Sequence, residues 1–189
     1  VTAMTADQMR TVAATITGLD RPGVLAKLLE AVRDTGAEVL DLEQVVVRGQ
    51  LTIGLLLGLP DDLASLEDRL AGACARLGLT VAMAEGVGDN PPRPNRAVVT
   101  MLGRPLLAAH LAAATEVIAA LEGNIDRSRR LSRTPLTTIE LLVSHADTSV
   151  LRPALAARAA SAGFDVSVSP AGLSRHGRRL VVMDVDSTL

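Results

Sequence analysis

The stretch TVAATITGLDRPGVLAKLLEAVRDTG, residues 11–36, carries two periodicities joined by one loop. Its first eight residues alternate apolar with small or polar side chains, the period-two pattern of a half-buried strand. Beyond the loop, Val24, Leu25, Leu28, Leu29 and Val32 recur at helical spacing, and Gly36 is placed to end the helix. Pro22 is expected to open that helix, where its missing N–H costs nothing. Working outward, AEVLDLEQVVVRGQLTIGLLLGL reads as two strands meeting near Arg48-Gly49-Gln50. A second helix is expected from about Asp62 to Leu77, with acidic residues at its start and Gly78 at its end. LTVAMAEG supplies a last strand, so the order is βαββαβ.

The same order returns after GDNPPRPNR, residues 88–96, whose three prolines and lack of periodicity mark a linker. AVVTMLG reads as a strand, RPLLAAHLAAATEVIAALEG as a proline-opened helix ended by Gly123, and NIDRSRRLS with PLTTIELLVS as a strand pair around Arg133-Thr134. TSVLRPALAARAASAG is a helix and FDVSVSPAG the final strand. The expected organisation is therefore a first domain over 8–87, a linker over 88–96, a second domain over 97–172, and a linker leading into a further strand over 173–189. The class is α+β, each unit a four-stranded antiparallel sheet with two helices on one face. Such a unit leaves its other face and its sheet edges open. A Val/Leu-rich face and exposed edges call for a second copy to cover them, so a homodimer is expected.

Composition narrows the function classes. The chain has 189 residues, 48% of them hydrophobic, which excludes a disordered chain. One Phe and neither Trp nor Tyr leave nothing to stack on bases, and a net charge of −2 gives no general attraction to nucleic acid or anionic lipid. The longest apolar run, LTIGLLLGLP, is too short to cross a bilayer, and no signal peptide is visible in VTAMTADQMR. The single cysteine, Cys74, lies in a helix-like apolar stripe and has no internal disulfide partner, which fits the cytoplasm.

ITGLDRPGVLAKLLEAV, residues 16–32, resembles the ACT domain, a small ferredoxin-like βαββαβ module that senses amino acids in metabolic enzymes. The resemblance implies an amino-acid site at Gly18, Asp20, Arg21, Pro22 and Gly23. The chemistry of the loop agrees: glycines let backbone approach a small molecule, free N–H groups at a helix start can hold a carboxylate, and Asp20 suits an α-ammonium. The same residues serve equally as a cap and a chain turn. The second unit's counterpart, MLGRPL, keeps Gly103, Arg104 and Pro105 but has no aspartate and no glycine after the proline. It resembles an ACT domain with a degenerate loop, in which Gly103 and Asn124 could complete a site built on the first unit. Asn124, following a helix-ending glycine, is also an ordinary turn residue.

DVDSTL, residues 184–189, matches the first motif of haloacid-dehalogenase-type (HAD) phosphatases, D-x-D-x-T, and follows the apolar run LVVM. Two tandem ACT-like units followed by this motif resemble the amino-terminal part of phosphoserine phosphatases. That resemblance implies Asp184 as the nucleophile forming an aspartyl-phosphate, Asp186 as the acid/base, Thr188 as an orienting residue, and Mg²⁺ held at Asp184 and Asp186. It also implies L-serine, or another small amino acid, as the ligand, and a homodimer formed through the ACT units. Such a phosphatase also needs a Lys and a later Asp pair. The only lysine here, Lys27, lies in the first helix, so the 189 residues alone are expected to be inactive. The alternative is a stand-alone tandem-ACT regulator acting through a protein partner. Among the remaining residues, Arg127, Arg129, Arg130 and Arg133 read as charge guarding a solvated or interface-facing edge, with a phosphate or nucleic-acid patch as the alternative. Arg175, His176, Arg178 and Arg179 read as linker, and His110 and His145 lack metal-ligand partners at useful spacing.

Overall fold

The computed structural model describes residues 9–59 and 63–172. The chain divides into two units between Pro91 and Pro92. The first comprises β1 (Arg10–Leu19), α1 (Val24–Val32), β2 (Glu38–Val47), β3 (Gln50–Leu59), α2 (Leu63–Leu77) and β4 (Thr80–Val87). The second comprises β5 (Ala97–Gly103), α3 (Ala108–Ala120), β6 (Asn124–Ser132), β7 (Thr137–Ser144), α4 (Thr148–Ala162) and β8 (Asp165–Pro170). The sheets run β2-β3-β1-β4 and β6-β7-β5-β8, with antiparallel pairings. Each unit is thus the α+β, βαββαβ fold that the sequence periodicities predict.

Register explains why both helices of the first unit share one face. Val12 pairs with Leu57, Ala14 with Leu55 and Ile16 with Ile53, so these side chains stand on the same side of the sheet. They form one core with Val24, Leu28 and Val32 of α1 and Leu66, Leu70, Ala73 and Cys74 of α2. Ala97, Val99, Met101, Leu141 and Val143 do the same in the second unit, against Ile118 of α3 and Leu151 and Leu155 of α4. With almost no aromatic residues, these cores rest on aliphatic burial, about 1.5–3 kcal/mol for each large side chain.

Several local details depart from the sequence reading. Pro22 does not begin α1: it lies in the preceding turn, closed by Val24 N–H to the Arg21 carbonyl at 3.3 Å, and the N-cap is Gly23 at φ 84°. Pro105 likewise precedes α3, whose first residue is Ala108. At the end of α3 the left-handed residue is Glu122 (φ 60°), not Gly123; Gly123 is needed because a Cβ there would stand 2.9 Å from Ile118 Cγ2. The acidic start expected for α2 falls outside the described residues, while Gly78 does end it at φ 66°.

The open face of the first unit is Val-rich only along its edge strand. Ala13, Thr15, Thr17, Thr52, Gly54, Ala82 and Ala84 make up much of that face, all small and exposed. Val45, 54% exposed, and Val47, 63% exposed, pair with Thr52 and Gln50 and so add valines to that side along edge strand β2, and Val87 at the end of β4 is 67% exposed. A strand outside the span of the helices has no layer to bury either of its faces.

Candidate functional site

The loop between β1 and α1 is built by three separate constraints. Gly18 closes β1 against the core: a Cβ there would meet Leu79 Cδ2 at 2.5 Å, so the position is set by packing as well as by access. Asp20 N–H donates to the Gly49 carbonyl at 2.8 Å, tying the loop to the β2–β3 turn. The Arg21 guanidinium donates to the Leu77 carbonyl at the end of α2, where a cation also meets the negative end of the helix dipole. Asp20, Arg21, Pro22 and Gly23 all remain exposed.

No side chain caps α1, so Asp20 is not its N-cap. Gly23 takes that position in a left-handed conformation with open space where a Cβ would stand. Val24 N–H is used by the turn, and the first intrahelical bond is Lys27 N–H to the Gly23 carbonyl at 3.0 Å. The N–H groups of Leu25 and Ala26 therefore have no intrahelical acceptor. An exposed carboxylate and unshared N–H donors at one loop form the two poles that a zwitterionic amino acid requires.

The second unit treats the same position differently. Gly103 is buried, and a Cβ there would meet Leu106 Cα at 2.8 Å, because the chain folds back on itself after β5. His110 Nδ1 accepts the Leu107 N–H at 3.1 Å, and its ring stacks on Phe164 with centroids 5.6 Å apart. The protein's own imidazole occupies the helix start. Sequence reasoning missed this role. Its signal is a histidine three residues after the N-cap, the spacing of a capping box.

Asn124 opens β6 and lines a concavity of about 460 Å³ between α3 and β6. Its side-chain amide donates to Asp126 Oδ1 at 2.9 Å. Gly103 pairs with Thr137 and Asn124 with Ser144, at opposite ends of β7. Seven residues of strand, about 23 Å, separate the two positions, too far for one small ligand to reach both. Asp184, Asp186, Thr188 and the arginines of 175–179 lie outside the described residues. Among the described residues no cluster of three or more His, Cys, Asp or Glu could hold a metal, and no helix is long and apolar enough to cross a membrane. Burial pushes the Cys74 thiol up from its usual range, so it stays a protonated core side chain.

Family models for the ACT domain match residues 10–84 and 96–169. Over 180 residues, 92% of this chain, it is 43% identical to a phosphoserine phosphatase of Streptomyces coelicolor. Over 182 residues, 93% of the chain, it is 42% identical to a phosphoserine phosphatase of Mycobacterium tuberculosis. The matched region is 43% and 44% of those proteins, so the chain spans less than half the length of these relatives. Among solved structures, an unknown protein from Galdieria sulphuraria superposes with a TM-score of 0.73 at 17% identity, covering 87% of this chain and 100% of that one. A putative glycine cleavage system transcriptional repressor superposes with a TM-score of 0.65 at 15% identity, covering 86% and 98%. At those identities the likeness is one of fold alone.

Proposed function

The chain belongs to the ACT-domain family, and on that premise we propose that it is the regulatory region of a phosphoserine phosphatase, sensing L-serine through the loop of its first unit. The observation that carries the sensing role is the difference between the two helix starts. In the first unit Leu25 and Ala26 N–H have no intrahelical acceptor and Asp20 is exposed in the same loop; in the second the loop has no aspartate and the His110 ring accepts the Leu107 N–H at the N-cap. A serine carboxylate would sit against the Leu25 and Ala26 N–H groups, and its ammonium against the Asp20 carboxylate. The ligand site is one-sided and exposed, which suits completion by a second surface in a homodimer.

The whole enzyme, on this proposal, hydrolyses O-phospho-L-serine to L-serine and phosphate. Asp184 would be the nucleophile and Asp186 the acid/base, with Mg²⁺ as the cation those two residues hold; it would supply charge neutralisation at the phosphate. Serine would then be the end product reporting on its own supply. It can change activity only if it binds two states of the enzyme unequally. A cytoplasmic location follows from that role in amino-acid synthesis.

Isothermal titration of the 189-residue chain with L-serine tests the sensing step. Saturable binding is expected, lost or weakened at least tenfold in Asp20→Ala, since a charge-assisted contact is worth about 1.5–3 kcal/mol. Binding unchanged in Asp20→Ala, or no binding to a folded chain, would contradict the proposal.

A further inference from the structure

The two helices of each unit share one face of its sheet, and the seam between them differs between the units. In the first unit Leu28 and Val32 of α1 and Leu70 and Cys74 of α2 are buried in the core. In the second, Ala114 and Ile118 of α3 and Leu155 and Ala159 of α4 are buried at the same spacing. Matched on those residues, Glu30 corresponds to Glu116, Ala73 to Arg158, Lys27 to Ala113 and Arg76 to Ser161. Arg158 reaches across the seam of the second unit to Glu116 at 3.5 Å. The first unit has the small Ala73 in place of that arginine, and its seam is an open concavity of about 370 Å³.

Buried Ala73 with half-buried Ala31 and Leu77 form the floor, and exposed Lys27, Glu30 and Arg76 stand around it. Among the described residues, the side chains of Lys27 and Arg76 have no hydrogen bond or ion pair. Glu30 acts on Arg33 of the next turn, and Arg21 meets this end of α2 with its guanidinium engaged by the Leu77 carbonyl. Two cations against one carboxylate leave the lining a formal surplus of one positive charge. Lys27 is also poorly placed for its own helix. It lies near the start of α1, which has no side-chain cap and no acidic residue in its first turn, so the ammonium faces the positive end of the helix dipole unopposed. An anion held there offsets that repulsion.

We propose that this seam binds a small aliphatic carboxylate, a monoanion held by Lys27 and Arg76 with its carbon chain on Ala31, Ala73 and Leu77. The planar Arg76 fork takes a carboxylate through two parallel bonds, and the Lys27 ammonium adds a point charge. One net charge matches a monoanion, and the apolar floor removes a carbon chain from water. The volume lies within the range of small-ligand cavities, about 300–1,000 Å³. L-Serine, with no net charge and no aliphatic chain, matches neither feature. The site is separate from the loop between β1 and α1 and does not depend on the serine reading.

The test is two-dimensional NMR of the 189-residue chain at constant ionic strength, titrated separately with hexanoate, hexan-1-ol and L-serine. Saturable shifts at the methyl groups of Ala31, Ala73 and Leu77 are expected with hexanoate, weaker ones with the alcohol, and none at Ala31 or Ala73 with serine. Lys27→Gln and Arg76→Gln should each weaken hexanoate binding about threefold, the scale of an exposed charge pair. Arg69→Gln, on α2 but outside the lining, should leave it unchanged. Absence of saturable shifts at the seam, equal affinity for hexan-1-ol, unchanged affinity in the Lys27 and Arg76 variants, or an equal loss in Arg69→Gln would each overturn the proposal.

Discussion

His110 accepts a backbone N–H at the start of α3, whereas the start of α1 has no side-chain cap and ends in open space beside Gly23. One imidazole thus separates two loops that share the Gly–Arg–Pro pattern. His110→Ala should lower the stability of the second unit by about 1 kcal/mol, from the lost cap and the lost stacking on Phe164, and leave serine affinity unchanged. Denaturant unfolding followed by calorimetry checks both halves of that expectation. At this scale the sequence was partly legible. The pattern G-x-D-R-P-G marked the loop between β1 and α1, because glycine and proline have strong local preferences. It did not reveal that Arg21 reaches the Leu77 carbonyl, 56 residues away, or that Gly18 is packed on Leu79. Those are consequences of tertiary approach and leave no local signature.

Elements behave as their periodicity dictates, and their ends are decided by turns. Between β2 and β3, Arg48 (φ 50°) and Gly49 (φ 80°) both take positive φ, and Val47 pairs with Gln50, the two-residue hairpin of type I′. Gly49 has nothing within 4 Å of a built Cβ, so Gly49→Ala carries only the backbone cost, about 1–2 kcal/mol, measurable as a lower denaturant midpoint with unchanged m. At the start of α4, Asp147 accepts from Ser149 N–H at 2.8 Å and Ser149 Oγ at 2.6 Å, which hold its carboxyl below the usual 3.8. A depressed folded value means the contribution is fully present above the unfolded value and is lost as pH falls through the folded one. Asp147→Ala should therefore lower the melting temperature at neutral pH and bring mutant and parent together in strong acid. Strand and helix identities were readable because apolar spacing is set by the core. The starts of α1 and α3 were not, because a proline near a helix start fits either the first turn or the turn before it.

For the whole molecule, residues of the segment over 88–96 bond within the unit each belongs to. Gly88 N–H donates to Met9 and the Asn90 amide to Asp41 in the first unit. On the other side Arg93 reaches Asp126, and the Pro94 and Asn95 carbonyls accept from His145 and Ala146. The three prolines announced a break in periodicity, but only the folded chain shows where their neighbours' hydrogen bonds go. Asp126, 1% exposed at its side chain, also takes Ser144 Oγ at 2.9 Å, so Arg93→Ala should cost about 1 kcal/mol in the second unit after allowing for the exposure of Arg93. The fold is repeated with unequal loops, and the proposed function assigns amino-acid binding to the first unit alone. Amide shifts on titration with L-serine test it most directly. The account predicts saturating shifts over Gly18–Ala26 with Leu107–Leu111 unmoved. Shifts centred on Leu107–Leu111, or equal shifts at both helix starts, would contradict it.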